Sequence, residues 1–202
     1  MATHVGKTCV ISEYNSIKII HDTLPSFVPL PIAAGTYASD PNFHFLLLSY
    51  EDMSDDIPEP EQVCAKLAEL HLKAISPNGM FGFPIDTGMG ACIQPEIWTS
   101  SWETCFTRLI SITFQTEQDV HGTTDEMREL HKVMLEKVIP RLLRPLQTDG
   151  RSINPCFVHG DLWDGNASVN MANDQTIVFD PIGFYAHNEC KSKVADHGLE
   201  VC

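Results

Sequence analysis

The chain has 202 residues, 43% of them apolar, enough to bury a core but not to fill more than one domain or one and a half. Its formal charge of −14, from 13 Lys and Arg against 27 Asp and Glu, repels nucleic acid and anionic membrane surfaces. No run reaches the ~18 apolar residues of a membrane span, Thr3 to Thr8 breaks up any signal-peptide core, and seven scattered Cys without a C-x-x-C pair argue against a disulfide framework or a zinc knuckle; a cytoplasmic location is the default expectation.

In chain order, Tyr14, Ile17, Ile20 and Leu24 recur at helical spacing and predict a helix over 12–23, ended by Pro25 and Pro29. Two strands, about 30–37 and 43–51, read as a hairpin around Ser39-Asp40-Pro41-Asn42. The five carboxylates and two prolines of 52–61 read as an exposed linker. Gln62 to Ile75 is a helix with Val63, Leu67, Leu70 and Ala74 on its core face. Residues 77–95, rich in Gly and Pro, read as an irregular loop, and their Gly88-Met89-Gly90 is too little for a phosphate loop. A helix is expected from Ser100, with Trp98 and Trp102 in the core. Thr123 and Glu126 fit a capping box that opens a helix with Met127, Leu130, Met134, Val138 and Leu142 as its buried stripe, kinked at Pro140.

The chemistry concentrates near the C-terminal end. Cys156-Phe157-Val158 is a short apolar strand, followed by the polar loop His159-Gly160-Asp161-Leu162-Trp163-Asp164-Gly165-Asn166. A hairpin with Met171 opposite Thr176 then leads to Phe179-Asp180-Pro181, and counting outward sets Asp180 opposite Ala167, beside Asn166. An Asp, an Asn and a second Asp brought together in this way suit Mg²⁺-assisted phosphoryl transfer. In that chemistry one Asp takes the proton of the substrate hydroxyl, while the Asn and the other Asp hold the metal. Turn chemistry alone also uses Asp, Asn and Gly, but it gives no reason for a hairpin that returns the second Asp to the Asn.

These residues resemble the fructosamine kinase family, within the protein-kinase-like superfamily. The resemblance is carried by HGDLWDGN, by VFDP, and by Phe184-Tyr185-Ala186-His187-Asn188-Glu189. Upstream it is carried by Pro29 to Tyr37, Phe43 to Glu51, and Phe81-Gly82-Phe83-Pro84 with Thr87-Gly88 and Trp98 to Trp102. It runs from about Cys9 to Glu189. It implies an α+β, protein-kinase-like two-lobed fold, with 1–52 as a residual N-lobe, 53–190 as a C-lobe and 191–202 as an atypical, disordered tail. It implies ATP and Mg²⁺ as cofactors and ketoamines as substrate, either small or on glycated protein amines, with no nucleic acid or membrane partner.

By the same resemblance Asp161 is the catalytic base, and Asn166 and Asp180 are the metal ligands. Glu13 is the helix Glu that pairs with a phosphate-binding Lys, and Ser49, Tyr50 and Glu51 form the hinge that meets adenine. Trp163 is a wall of the sugar site. The family pattern also includes strands with a nucleotide-covering loop and the Lys before that Glu, and further helices after the Tyr-rich segment. Met1 lies only twelve residues before Glu13, so the expectation is a chain cut short at both ends, with the N-lobe incomplete and the C-lobe lacking its terminal helices. Two other readings follow: a catalytically impaired remnant that acts as a binding module or has no function, and a metal-dependent hydrolase built on His159, Asp161, Asp164, Asp180, His187 and Glu189.

Overall fold

The computed structural model describes residues 2–90 and 92–190; the predicted tail at 191–202 lies outside them. Helix α1 spans Ala2–Thr23, ten residues longer at its N-terminus than the apolar spacing predicts. Its core face begins only at Ser12, so a stripe that starts there misses the earlier turns. Ser12, Ser16, Ile17 and Ile20 are buried on it. Fully burying an Ile is worth about 1.5–3 kcal/mol, and two such residues on one face anchor α1 to the rest of the fold.

Strands β1 (Pro31–Thr36) and β2 (His44–Leu48) pair antiparallel, from Thr36 opposite His44 to Pro31 opposite Leu48, with a bulge at Ile32. Residues 52–57 do not hang free as a linker. Met171 N–H donates to Asp52 O, Ser54 N–H to Val169 O, and Ser168 Oγ to Ser54 O. Helix α2 (Pro60–Lys73) opens with a Pro in its first turn and buries Val63, Leu67 and Leu70, as its spacing predicts.

The Gly- and Pro-rich stretch is more ordered than predicted. It contains β3 (Phe81–Phe83), β4 (Thr87–Met89) and β5 (Cys92–Gln94), and β6 (Ile97–Thr99) follows. Three-residue strands are too short to show a period of two, so composition hides them. Trp98 therefore lies on a strand, stacked on Tyr185 at 6.0 Å, and Trp102 on helix α3 (Trp102–His121), capped by Ser101 Oγ accepting from Thr104 N–H.

Helix α4 (Asp125–Val133) is capped by Thr124, which accepts from Met127 N–H, and not by Thr123. Its predicted buried stripe is largely exposed: Met127, Leu130, Met134 and Leu142 are all outward, while Ile139 is buried. Amphipathic spacing reports a face that could be covered, not one that is. Pro140 does not break the helix. A π-helical turn at Met134–Val138 absorbs it and α5 (Ile139–Leu143) continues, since the wider turn accommodates the missing N–H and the ring.

Strand β7 (Cys156–Val158) joins a four-stranded sheet in the order β6-β3-β10-β7, where β10 is Phe184–Ala186. Strands β8 (Ala167–Asn170) and β9 (Gln175–Val178) form a separate hairpin. The core runs between α1, α2 and these two sheets through Ile17, Phe27, Val63, Leu70, Phe157 and Val178, all fully buried. Among the described residues no helix is long and apolar enough to cross a membrane.

Candidate active site

Three chain segments meet at the edge of this core. Asp161 follows β7, Asn166 precedes β8, and Asp180 follows β9. The hairpin register differs from the predicted one by two residues. Asn170 pairs with Gln175, and Ala167 with Val178. The turn holds four residues, because Asn170 Oδ1 accepts from Ala172 N–H, Asn170 O accepts from Asp174 N–H, and Asp174 takes a left-handed φ of 57°. A shift of two keeps every side chain on its face, so Asn166 still adjoins the strand that leads to Asp180: Phe179 N–H donates to Asn166 O at 3.1 Å.

Asn166 is buried and its amide is fixed. Nδ2 donates to Asp161 O at 2.8 Å and to Asp161 Oδ2 at 3.2 Å. The amide oxygen is therefore turned away from Asp161. Asp180 has φ 58°, a left-handed backbone that costs a non-glycine residue energy and recurs where a side chain must be aimed.

His159 ties the two Asp-bearing segments together. Its Nδ1 accepts from Asp161 N–H at 3.3 Å and its Nε2 faces Phe179 O at 3.1 Å, so Nε2 carries the proton and donates. Burial pushes the imidazole down to about 4, against a smaller upward pull from the Phe179 carbonyl. Because the folded value lies below the unfolded one, the unfolded chain binds the extra proton first as pH falls. This linkage stabilises the fold above pH ~6.5 and is lost towards pH 4, by on the order of 3 kcal/mol. NMR of the imidazole nitrogens should show the neutral Nε2–H tautomer persisting at pH 5; titration near 6.5 would refute the assignment.

A cavity of about 210 Å³ is lined by Ser12, Glu13, Gly88, Asp161, Asp180 and Ile182, among others. Helix α1 is tied to the segments around it through two buried hydroxyls. Ser16 Oγ accepts from Gly183 N–H at 3.1 Å, and Ser12 Oγ accepts from Gly88 N–H at 3.4 Å. Sequence reasoning missed both, although serines four apart on an apolar helix face are a legible polar notch. Gly88 is also needed for closeness, since a Cβ there would lie 2.5 Å from Cys9 Sγ. Burial, and secondarily the charge of Asp180, pushes the Glu13 carboxyl up to about 7. Among the described residues no Lys or Arg pairs with Glu13, and Lys7 lies almost two helical turns away on the same helix.

At the expected hinge, whose contact with adenine is expected through main-chain groups, two side chains bond within the chain. Ser49 Oγ donates to Glu51 Oε1 at 2.7 Å and accepts from Leu30 N–H, and Glu51 Oε2 accepts from Asn170 Nδ2 at 2.8 Å. Tyr50 is 88% exposed. A second cleft, about 360 Å³, is lined by the residues that follow, Met53, Asp55 and Ile57, facing Asp164, Gly165 and Phe179. Trp163 is partly exposed, and its indole covers Gly165, where a Cβ would lie 2.4 Å from the ring.

The hydrolase cluster does not assemble. His159 is used between two backbone groups, and His187 lies beside Trp102 at 6.3 Å in a different cluster. Among the described residues no three His, Cys, Asp or Glu gather around a point. Asn166 and Asp180 supply oxygen donors, the type Mg²⁺ prefers. Their fit rests on the fixed Asn166 amide, which presents oxygen away from Asp161.

The chain is 27% identical over 199 residues to a chloroplastic protein-ribulosamine 3-kinase of Oryza sativa subsp. japonica, covering 98% of this chain and 54% of the relative. It is 32% identical over 117 residues to a Mus musculus ketosamine-3-kinase, covering 57% of this chain and 35% of that one. The chain thus spans about half the length of the curated relatives it matches. In structure it is similar to a Haemophilus somnus protein assigned as a fructosamine-3-kinase, with TM-score 0.67, 20% identity, and coverage of 91% of this chain and 57% of that one. A Thermobifida fusca protein with the same assignment matches at TM-score 0.63 and 22% identity, over 89% of this chain and 57% of that one. At these identities the structures establish the fold, the mixed α+β architecture of kinase-like proteins. The model of the fructosamine kinase family matches residues 4–196, and the chain belongs to that family.

Proposed function

We propose that this chain carries the catalytic centre of an ATP- and Mg²⁺-dependent kinase that phosphorylates the 3-hydroxyl of ribulosamines or fructosamines, small or on protein amines. The observation that carries the reading is the convergence of Asp161 and Asp180 on one cavity, with Asn166 hydrogen-bonded to Asp161. Asp161 accepts the hydroxyl proton. The freed oxygen bonds to the γ-phosphorus, the bond to the β–γ bridging oxygen breaks, and ADP leaves. Asn166 and Asp180 would hold Mg²⁺, which supplies charge neutralisation at the phosphates. In this reading the nucleoside takes the cleft along Met53–Ile57, which Asp164 and Gly165 of the loop after Asp161 also line, and Trp163 is a wall of the sugar site. We place the reaction in the cytoplasm.

The test is label transfer. Purified chain, Mg²⁺ and γ-labelled ATP should put label on a ribulosyl- or fructosyl-lysine peptide, and none on the unglycated peptide. One observation favours a second reading, a binding module without turnover: Glu13 faces Asp180 and no described cation. Calorimetry separates them. Micromolar binding of ATP·Mg²⁺ without transfer would favour the module and sink the kinase.

A further inference from the structure

The loop that carries Asp161 folds into a closed turn directly after it. Leu162 is buried in the core and pins the backbone there. Trp163 is extended, with φ −147° and ψ 174°, and a short 3-10 turn, Asp164–Asn166, follows. Trp163 O accepts from Asn166 N–H at 3.0 Å, and Asp164 Oδ1 accepts from Gly165 N–H at 3.0 Å. Because the Asn166 amide donates to Asp161, the turn is also tied to Asp161 itself.

The backbone of this turn does not require a glycine at 165. Gly165 is not among the glycines of positive φ, so its conformation is open to residues with a side chain. What does not fit is the Cβ itself. It would lie 2.4 Å from Trp163 Cη2, 2.5 Å from Cζ2 and 2.8 Å from Cζ3, the outer atoms of the six-membered ring. The missing side chain is therefore the seat of the indole. Seated there, Trp163 is still 41% exposed, so its position is set while much of its surface stays open to a ligand.

We propose that Gly165 is a positioning residue for Trp163: by giving up its side chain it lets the indole lie on the 164–166 turn and fixes that ring relative to Asp161. The inference rests on the reading of Trp163 as a wall of the sugar site. A wall set before the sugar arrives needs no ordering on binding, and it helps to present one hydroxyl to Asp161. The clash that an Ala would bring falls on the far end of a side chain and not on backbone. The indole can swing out to relieve it, so the cost falls on the wall and not on the fold.

Fluorine NMR of the fluorotryptophan-labelled chain tests it. The chain has three Trp and gives three signals, with that of Trp163 assigned by its loss in Trp163→Phe. A fructosyl-lysine peptide should shift the Trp163 signal. Gly165→Ala should move that signal before any peptide is added and leave those of Trp98 and Trp102 in place. It should raise Kd for the peptide about tenfold, with an unchanged far-UV circular dichroism spectrum. In a Trp163→Phe background, whose smaller ring stops short of the seat, Gly165→Ala should change Kd by less than about twofold. An unmoved Trp163 signal in Gly165→Ala overturns the proposal. So does an equal loss of affinity in both backgrounds, which would make Gly165 a requirement of the backbone. Peptide binding that leaves the Trp163 signal unshifted, or a wild type that binds no peptide, overturns it as well. If the expected effects appear and no label is transferred from ATP, the kinase reading fails and the seat of the indole stands.

Discussion

Asp161→Asn is expected to lower kcat for the proposed ketoamine phosphorylation by about 10²–10⁴, the usual contribution of a positioned general base. The affinity for ATP·Mg²⁺ should change little. The substitution is nearly isosteric, and the local frame survives it. Asn166 Nδ2 still donates to the main-chain oxygen of residue 161, and the new amide oxygen can replace Oδ2 as its second acceptor. The N–H of residue 161 still donates to His159 Nδ1. What is lost is the ability to take a proton. The measurement is steady-state kinetics beside calorimetry with ATP·Mg²⁺. Turnover within a few-fold of wild type would remove Asp161 from the base role. A loss of nucleotide affinity equal to the loss of rate would show that the residue binds and does not catalyse.

The parts of the site readable in the sequence are those built from adjacent residues. The loop 159–166 and the segment Phe179-Asp180-Pro181 carry their chemistry within a few positions, and hairpin arithmetic brings Asn166 towards Asp180. The arithmetic was wrong by two because Asn170 caps the turn with its own side chain and Asp174 accepts a left-handed φ. The side-chain faces survived because two is the period of a strand. The placement of α1 was not readable in this way. Its contacts with Gly183 and Gly88, through Ser16 and Ser12, span 167 and 76 positions, and no local pattern encodes such distances. The short strands β3 to β6 escaped for the opposite reason. Phe81 to Thr99 is rich in Gly and Pro, and Gly82, φ 133°, allows the pairing with Trp98 by leaving room for Ile97 O, 1.5 Å from where a Cβ would stand. Glycine there marks close approach of strands, and composition alone reads it as a loop. On α4 the spacing of Met127, Leu130 and Met134 was legible, but burial needs a second surface, which periodicity does not supply.

Gly160→Ala should remove activity together with much of the stability. Gly160 has φ 82°, and a Cβ would lie 2.0 Å from Ile182 O and 2.7 Å from its carbonyl carbon. That carbonyl belongs to backbone, and it cannot swing away as a flexible side chain could. Ile182 N–H donates to His159 O at 2.9 Å, so the segment after Asp180 is stitched to the segment before Asp161 at this point. Relief of the clash must part the two segments. The parting would break that bond, loosen the His159 link to Phe179 O, and move Asp180 relative to Asp161. The left-handed backbone adds about 1–2 kcal/mol for any residue with a Cβ. With the clash, the total should reach about 3–5 kcal/mol, a large share of the roughly 5–15 kcal/mol that holds a domain folded. Urea unfolding should show a midpoint well below wild type, with an unchanged slope. Gly79→Ala is the control, because its φ of 70° carries the same backbone cost and nothing lies within 4 Å of its Cβ. It should lose only the backbone share and keep full activity. If the two variants are equally destabilised, the stitch at Ile182 does not set the spacing of Asp161 and Asp180.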